Sequence, residues 1–383
     1  MIKKLETNKE DLKKEKPTEC KTPTDIAHDI MDDSKEKVLE DLSGVGPVTA
    51  QKLRDLGYRN IIDLATARAD EVAAEMKTIS YSIAKGWISQ AQEASLGKLK
   101  MVTATQRDIY KKKTVFYFKT GSNAFNTLLG GGIPTQAISG ASGRFASGKT
   151  QVGNEIIVDC ISNLFTCPKC YTKQPKLTKC PDCGTLSKQA KAVLIETEPD
   201  TFHLDRLKQI CAAKKIPEPN WDNLLLCPAD QIPTAKAQFL QYKVVQKALE
   251  DGENIHLVVI DSFTARFRAG YSRSEMLPIR AREFAEHFNL IEYLTAKYNI
   301  AFYLTCQVIA PPRPDQGLAA KVKFGDSFYP VGGDTLLHSV NNWIGLTQKK
   351  VELWTAILFD SSWMPRGSAD FVLTSSGLKD GIS

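Results

Sequence analysis

Long apolar runs are missing from this sequence. No stretch of about 18 apolar residues occurs, so no membrane-spanning helix is expected. The first residues, Met1 to Glu10, lack the apolar segment of a secretory signal, and a cytoplasmic protein is expected. A strong excess of one charge is missing too: 50 Lys and Arg face 44 Asp and Glu, a net charge of +6. That permits an anionic partner without demanding one. Residues 1 to about 36 are short of apolar side chains and rich in Lys, Glu, Asp and Thr. Such a segment buries too little surface to offset its ordering entropy, so a disordered tail is expected there, with Cys20 an incidental thiol. The chain as a whole has the composition of a soluble globular protein, 42% hydrophobic and 25% charged, and 383 residues suggest two or three units.

The most informative stretch is Gly143-Arg144-Phe145-Ala146-Ser147-Gly148-Lys149-Thr150, which fits the phosphate-loop pattern G-x-x-x-x-G-K-[ST]. A short strand (Thr135 to Ser139) is expected before it and a helix from Gln151 to Val158 after it. That order lets backbone N–H groups and a helix N-terminus cradle an anion. Lys149 is expected to reach the β- and γ-phosphates, and Thr150 to ligate magnesium.

From Phe116 onward, apolar runs alternate with helical stretches. The runs are 192–195, 223–227, 255–260 and 300–304; the helices include 235–250 and 279–298. Continuous apolar strands between helices predict a mainly parallel sheet covered on both faces. Asp261 ends one strand and is the expected second magnesium partner. Glu196 and Glu198 end another; Glu198, nearer the strand end, is the candidate for orienting water, while Glu196 is equally readable as a solvated charge. Gln307 follows a third strand, where an amide could sense the γ-phosphate. The segment Val308 to Gly333 holds no clear element but carries Arg313, Lys321 and Lys323 among Phe324, Phe328 and Tyr329, a mixture suited to single-stranded nucleic acid or to a lid over nucleotide. Arginines also crowd after Asp261, including Arg268, Arg280 and Arg282; they suit phosphate contacts, or pairing with Glu275, Glu283 or Glu286.

Nine cysteines are many for a reducing compartment. Cys167, Cys170, Cys180 and Cys183 form a C-x2-C-x9-C-x2-C set, the spacing of two knuckles around one tetrahedral zinc. With four thiolates no position stays open for catalysis, so a structural Zn2+ is expected, in a ribbon at about 165–188. Cys160, Cys211, Cys227 and Cys306 sit in apolar surroundings and read as buried fillers. Nearer the N-terminus, Leu42-Ser43-Gly44-Val45-Gly46-Pro47 joins two short helices. Gly44 and Gly46 there suit a helix–hairpin–helix that offers backbone N–H groups to a nucleic-acid phosphate without reading bases; the other reading is a small helical domain that packs on a partner. The expected division is thus a tail at 1–36, a helical domain at 37–97, a linker at 98–120 and an α/β core at 121–383. The basic triplet Lys111-Lys112-Lys113 in the linker reads as a solvated face.

Over about residues 37 to 383 the sequence resembles the archaeal RadA recombinases, relatives of bacterial RecA and the eukaryotic strand-exchange proteins. The residues that carry this are Phe118–Ser122, Leu128–Ile138, Phe145–Gln151, Thr197-Glu198 with Thr201-Phe202, Ile260–Ser262 with Phe267–Ala269, and Pro330–Gly333. The resemblance implies a RecA-like core that polymerises on single-stranded DNA with ATP and Mg2+ and pairs it with a homologous double-stranded DNA. It implies that Gly143 to Gln151 and Asp261 bind the nucleotide, that Glu198 positions the attacking water, and that Gln307 reads the γ-phosphate. It also implies that Arg268 and Arg280 contact DNA and that Asp360 and Pro365 cap ATP bound to the adjacent protomer. Met101 and Ala104 match a Phe-x-x-Ala clip that docks on a neighbouring core, giving a filament or ring. There are departures: Arg144 and Ala146 stand where the family's loop has Glu and Gly, Met101 where Phe is usual, and Pro199-Asp200 adds a residue before Thr201. Asp334 replaces a common His or Asn, and the zinc ribbon is extra. A regulatory paralogue and a hexameric ring motor remain the competing expectations.

Overall fold

The structure, a computed structural model, describes residues 38–96, 101–271, 273–309 and 329–381. The tail at 1–36, Cys20, Arg313, Lys321, Lys323, Phe324 and Phe328 lie outside the described residues. The chain divides into two compact units, Met1–Tyr110 and Lys111–Ser383.

In the first unit a 3-10 turn, Leu39–Asp41, leads to α1 (Pro47–Asp55), α2 (Ile61–Ala65), α3 (Ala69–Met76) and α4 (Tyr81–Leu96). Gly46 caps α1 with Pro47 at its first position, where proline's missing N–H costs nothing. Asn60 and Asp63 form a capping box on α2. Leu39, Leu53, Leu64, Val72 and Trp87 close a small core. Gly44 has φ +86°, and a Cβ there would lie 3.1 Å from Trp87 Nε1, so the turn needs glycine twice over. The expected linker is not all extended: Ala104–Thr114 forms α5. Its start is a capping box that the sequence reading overlooked, with Gln106 N–H donating to Thr103 Oγ1 (3.2 Å) and Thr103 N–H to Gln106 Oε1 (2.9 Å).

The second unit opens with β1 (Tyr117–Phe118), α6 (Asn123–Leu128), β2 (Ile133–Pro134), β3 (Ala137–Ser142) and α7 (Lys149–Asn163). A small sheet of β4 (Phe165–Thr166), β5 (Lys173–Gln174) and β6 (Lys188–Gln189) follows. Then come β7 (Lys191–Glu196), α8 (Leu204–Lys214), β8 (Leu224–Cys227), α9 (Ala235–Glu250), β9 (Ile255–Asp261), α10 (Ala265–Gly270), α11 (Leu277–Tyr298) and β10 (Ala301–Cys306). Last are β11 (Val308–Ile309), β12 (Tyr329–Pro330), α12 (Gly333–His338), three long strands, β13 (Asn342–Lys350), β14 (Leu353–Ser361) and β15 (Gly367–Thr374), and the shorter β16 (Gly377–Asp380). The main sheet has nine strands in the order β16-β15-β14-β13-β3-β10-β9-β7-β8. From β13 to β8 every pairing is parallel; β13 to β16 form an antiparallel meander.

Strand alternation explains the two covered faces. Ala192, Leu194, Leu257 and Val259 face one core with Val152 and Ile156 of α7. Val193, Ile195, Val258 and Ile260 face the other with Phe284 and Phe288 of α11. Each such Val, Leu, Ile or Phe side chain contributes about 1.5–3 kcal/mol by leaving water. The meander was not read from the sequence, because its strands mix polar and apolar residues and one face is partly exposed. Nor is the segment Val308 to Gly333 without structure at its ends: β11 pairs with β12, and α12 begins at Gly333.

The small sheet is bolted to the main one. Thr166 Oγ1 and His256 Nε2 share a hydrogen bond of 2.8 Å. Asn254 Nδ2 donates to Thr166 Oγ1 (2.9 Å) and to the Lys188 carbonyl (3.1 Å), and Lys113 pairs with Asp182 at 3.4 Å. Burial pushes His256 down to about 4 and His287, enclosed by Phe263, Phe267 and Tyr242, down to about 3. Both rings are therefore neutral when folded, whereas unfolded histidine takes a proton near pH 6.5. Below that value the unfolded chain binds more protons, so stability is full above about pH 6.5 and falls as the pH drops toward 4. Unfolding midpoints measured between about pH 7 and about pH 5 should decline, with each histidine removing about 2 kcal/mol at the lower pH. A flat profile over that window would refute the assignment.

Candidate nucleotide and metal sites

The phosphate-loop motif lies between the carboxyl end of β3 and the first turn of α7. Gly143 is packed so closely that a Cβ would sit 2.3 Å from the Leu346 carbonyl and 2.4 Å from Ser147 Oγ. Gly148 has φ +94° and caps α7 without a side-chain acceptor, which leaves the first N–H groups of the helix turned toward the loop. Gly143 to Gln151 line a cavity of about 870 Å³ with Glu198, Thr201, Asp261, Arg268, Thr305, Gln307 and Leu373. Phe145 is fully exposed at the loop's crest. Lys149 Nζ donates to the carbonyls of Gly143 and Arg144, both at 2.9 Å, and to Ser147 Oγ at 3.2 Å. Burial lowers its pKa below that of ordinary lysine, against the raising pull of Asp261, Cys306 and Glu198.

Asp261 joins three elements. It accepts from the Thr150 hydroxyl of α7 at 2.7 Å and from the Thr305 hydroxyl of β10. A carboxylate beside a threonine hydroxyl is the oxygen donor set that a hard cation such as Mg2+ takes, so the residues fit the metal that the loop implies. Thr197 fixes the neighbouring strand ends: its hydroxyl donates to the Ser262 carbonyl at 2.6 Å and accepts from Ser262 N–H at 2.9 Å. Glu198 lies just beyond and accepts from Gln307 Nε2, while Gln307 Oε1 accepts from Arg268 Nη1 at 3.2 Å. A continuous polar chain thus runs from Arg268 through Gln307 to Glu198. Glu196 is not a solvated charge. It is buried and accepts from Thr201 Oγ1 at 3.0 Å, because Asp200, at φ +58°, turns the chain back over the end of β7.

Other expected site residues are placed elsewhere. Arg280 is half-buried on α11 and does not line the cavity, nor do Asp360 and Pro365, both exposed at the end of β14 and just after it. Met101 is fully exposed and Ala104 opens α5. The sequence reading missed Thr305 and Arg206. Thr305 stood two residues before Gln307 at a strand end and was legible on that ground. Arg206, whose Nε donates to Gln151 at 2.7 Å and whose Nη2 donates to the Thr374 carbonyl at 3.1 Å, had no such signal, since the meander it grips was itself unseen.

The four sulfurs of Cys167, Cys170, Cys180 and Cys183 lie within 4.8 Å of one another, with Cys167–Cys183 at 3.3 Å and Cys170–Cys180 at 3.6 Å. Zinc–sulfur bonds of about 2.3 Å in a tetrahedron require sulfurs about 3.8 Å apart, so the cluster fits zinc. Burial raises the Cys167 and Cys180 thiols, while N–H groups of Lys169 and Cys170 donate to the Cys167 sulfur and those of Asp182 and Cys183 to the Cys180 sulfur. Such bonds favour the thiolates that a metal binds. Cys160, Cys211, Cys227 and Cys306 are buried.

One loop residue carries strain. Ala146 has φ +60°, a conformation that costs a residue with a Cβ about 1 kcal/mol or more. Ala146→Gly relieves it, offset in part by glycine's freedom in the unfolded chain. A thermal midpoint raised by about 1–3 °C is expected by calorimetry, and an unchanged or lowered midpoint would contradict the strain.

Comparison with known proteins gives the family. Residues 36–93 match the SAM-like helix-hairpin-helix tandem. A DNA repair and recombination protein RadA of Metallosphaera sedula is 29% identical over 356 residues, spanning 93% of this chain and 99% of that protein. Residues 111–167 and 177–381 match the Rad51 family. That match covers most of the chain and includes the phosphate loop, Glu198, Asp261 and Gln307, and the protein belongs to the Rad51 family.

Proposed function

We propose that the chain is a DNA repair and recombination protein: an ATP-dependent recombinase that forms filaments on single-stranded DNA and pairs it with a homologous duplex. The observation that carries this is the chain Arg268–Gln307–Glu198, which joins a residue on the arginine-rich α10 to a carboxylate in the nucleotide cavity. On this reading the loop N–H groups and Lys149 hold the ATP phosphates. Thr150 and Asp261 hold Mg2+, which supplies positive charge to the phosphate oxygens. Glu198 orients water and accepts its proton. Gln307 shares one amide between Glu198 and Arg268, so a change at either end alters the other's hydrogen bond. Arg268 and Arg280, with Arg313, contact the DNA backbone. In the helical unit Gly46 caps α1 with no side-chain acceptor, so first-turn N–H groups are available to a phosphate beside Gly44.

Assembly is the other half of the reading. Met101 and Ala104 dock on a neighbouring core, and Asp360 and Pro365 close over the nucleotide of the adjacent protomer. The bare, fully exposed Met101 side chain supports the first of these. The same methionine, standing where phenylalanine is usual, favours a second reading in which the chain assists another protein's filament. Negative-stain microscopy of the purified chain with ATP, Mg2+ and single-stranded DNA separates the two. Regular filaments are expected, and their absence would sink the recombinase reading. In the same preparation Lys149→Ala should lower ATP hydrolysis by about 100-fold or more; undiminished turnover would overturn the assigned loop.

A further inference from the structure

The four-cysteine ribbon is charged on its outside. Residues 165–189 hold Lys169, Lys173, Lys176, Lys179 and Lys188, all exposed, and a single acidic residue, Asp182. Asp182 is already engaged by Lys113 and by the Thr172 hydroxyl (3.1 Å), and Lys188 reaches the Gly252 carbonyl at 3.3 Å. Four lysines therefore remain for a partner, while the negative charge of the zinc thiolates would be buried beneath them. Leu177 and Leu186 stand exposed on the second hairpin, where Ser187 N–H donates to the Thr178 carbonyl at 2.8 Å. The surface is held fast, because Thr166, Asn254, His256 and Lys113 fix the ribbon's base.

Its place in the fold separates it from the nucleotide. Helix α7 starts at the phosphate loop and runs 15 residues, about 22 Å, before the ribbon begins. The ribbon then leads into the first residue of β7, so it projects from the amino ends of the parallel strands. The Rad51 family match stops at 167 and resumes at 177, so most of the first knuckle and the turn after it lie outside that match.

We propose that the ribbon is a second nucleic-acid contact, in which Lys169, Lys173, Lys176 and Lys179 bind the phosphate backbone of duplex DNA. The inference rests on the DNA-binding function proposed above. A phosphate backbone is favoured over an acidic protein because the charge is spread along both hairpins, with Leu177 and Leu186 the two large apolar side chains exposed among them, and lysine serves phosphate as a point charge without a fixed geometry.

The test uses the full chain loaded with zinc and a fluorescent duplex oligonucleotide, with anisotropy read across a salt series. Lys169→Gln, Lys173→Gln, Lys176→Gln and Lys179→Gln combined should weaken binding by about tenfold or more at about 0.1 M salt and reduce the slope of log affinity against log salt by about 3.6. The fourfold arginine counterpart should bind as the unaltered chain does. Zinc content and DNA-free ATP hydrolysis should stay unchanged. If the combined variant loses zinc, Lys173→Gln with Lys176→Gln, neither beside a cysteine, decides the matter with a slope loss of about 2. An unaltered affinity and slope in a chain that binds duplex DNA would overturn the ribbon's role alone. Failure of the unaltered chain to bind DNA would overturn the recombinase reading with it.

Discussion

The Asp261 carboxylate is the constraint on which the site depends. It sits at the end of β9 and accepts hydroxyls from α7 and β10. Those two bonds fix the start of the phosphate-loop helix against two central strands of the sheet. The strand pairings do the rest: Glu196 lies opposite Asp261, and Thr305 and Cys306 lie opposite Ala141 and Ser142. A one-residue slip in any of these would turn the strand-end groups to the wrong face. Parallel pairing with both faces buried makes such a slip costly, so the apolar core is also what aims the polar residues.

Much of this was legible in the sequence, and the reasons differ by element. The apolar runs at 192–195 and 255–260 announced buried strands, and the helix expected at 235–250 has those ends in the fold, where Thr234 caps it and Gly252 follows. Glycine spacing announced the phosphate loop. Cysteine spacing announced the ribbon cluster. The meander β13 to β16 escaped because its half-exposed strands lack continuous apolar runs. The burial of Glu196 escaped because it depends on Thr201 folding back across an added residue, and no local pattern records that. The chain Arg268–Gln307–Glu198 joins residues up to 109 positions apart, which only the sheet order brings together.

The two ends of the sheet have different tenants. The carboxyl ends of β3, β7, β9 and β10 carry the residues of the candidate nucleotide cavity, where open parallel sheets generally bind ligands. The amino end of β7 carries the ribbon, and the turn before β9 supplies part of its footing through Asn254. An insertion there adds a surface without moving a strand end that matters for phosphate. The basic end of α5 belongs to the same region, since Lys113 is spent on Asp182 rather than left in solvent.

The Lys149 ammonium, described above with three hydrogen bonds to its own loop, is not a bare charge waiting for a ligand. On the proposed function, an arriving phosphate would exchange partners with it rather than supply its first ones. Exchange of one good hydrogen bond for another returns little net free energy, on the order of 1 kcal/mol. The lysine's worth is thus greatest where the incoming oxygen carries more charge than a carbonyl does. On the proposed function, it would discriminate between chemical states of the phosphate as well as help to hold the nucleotide.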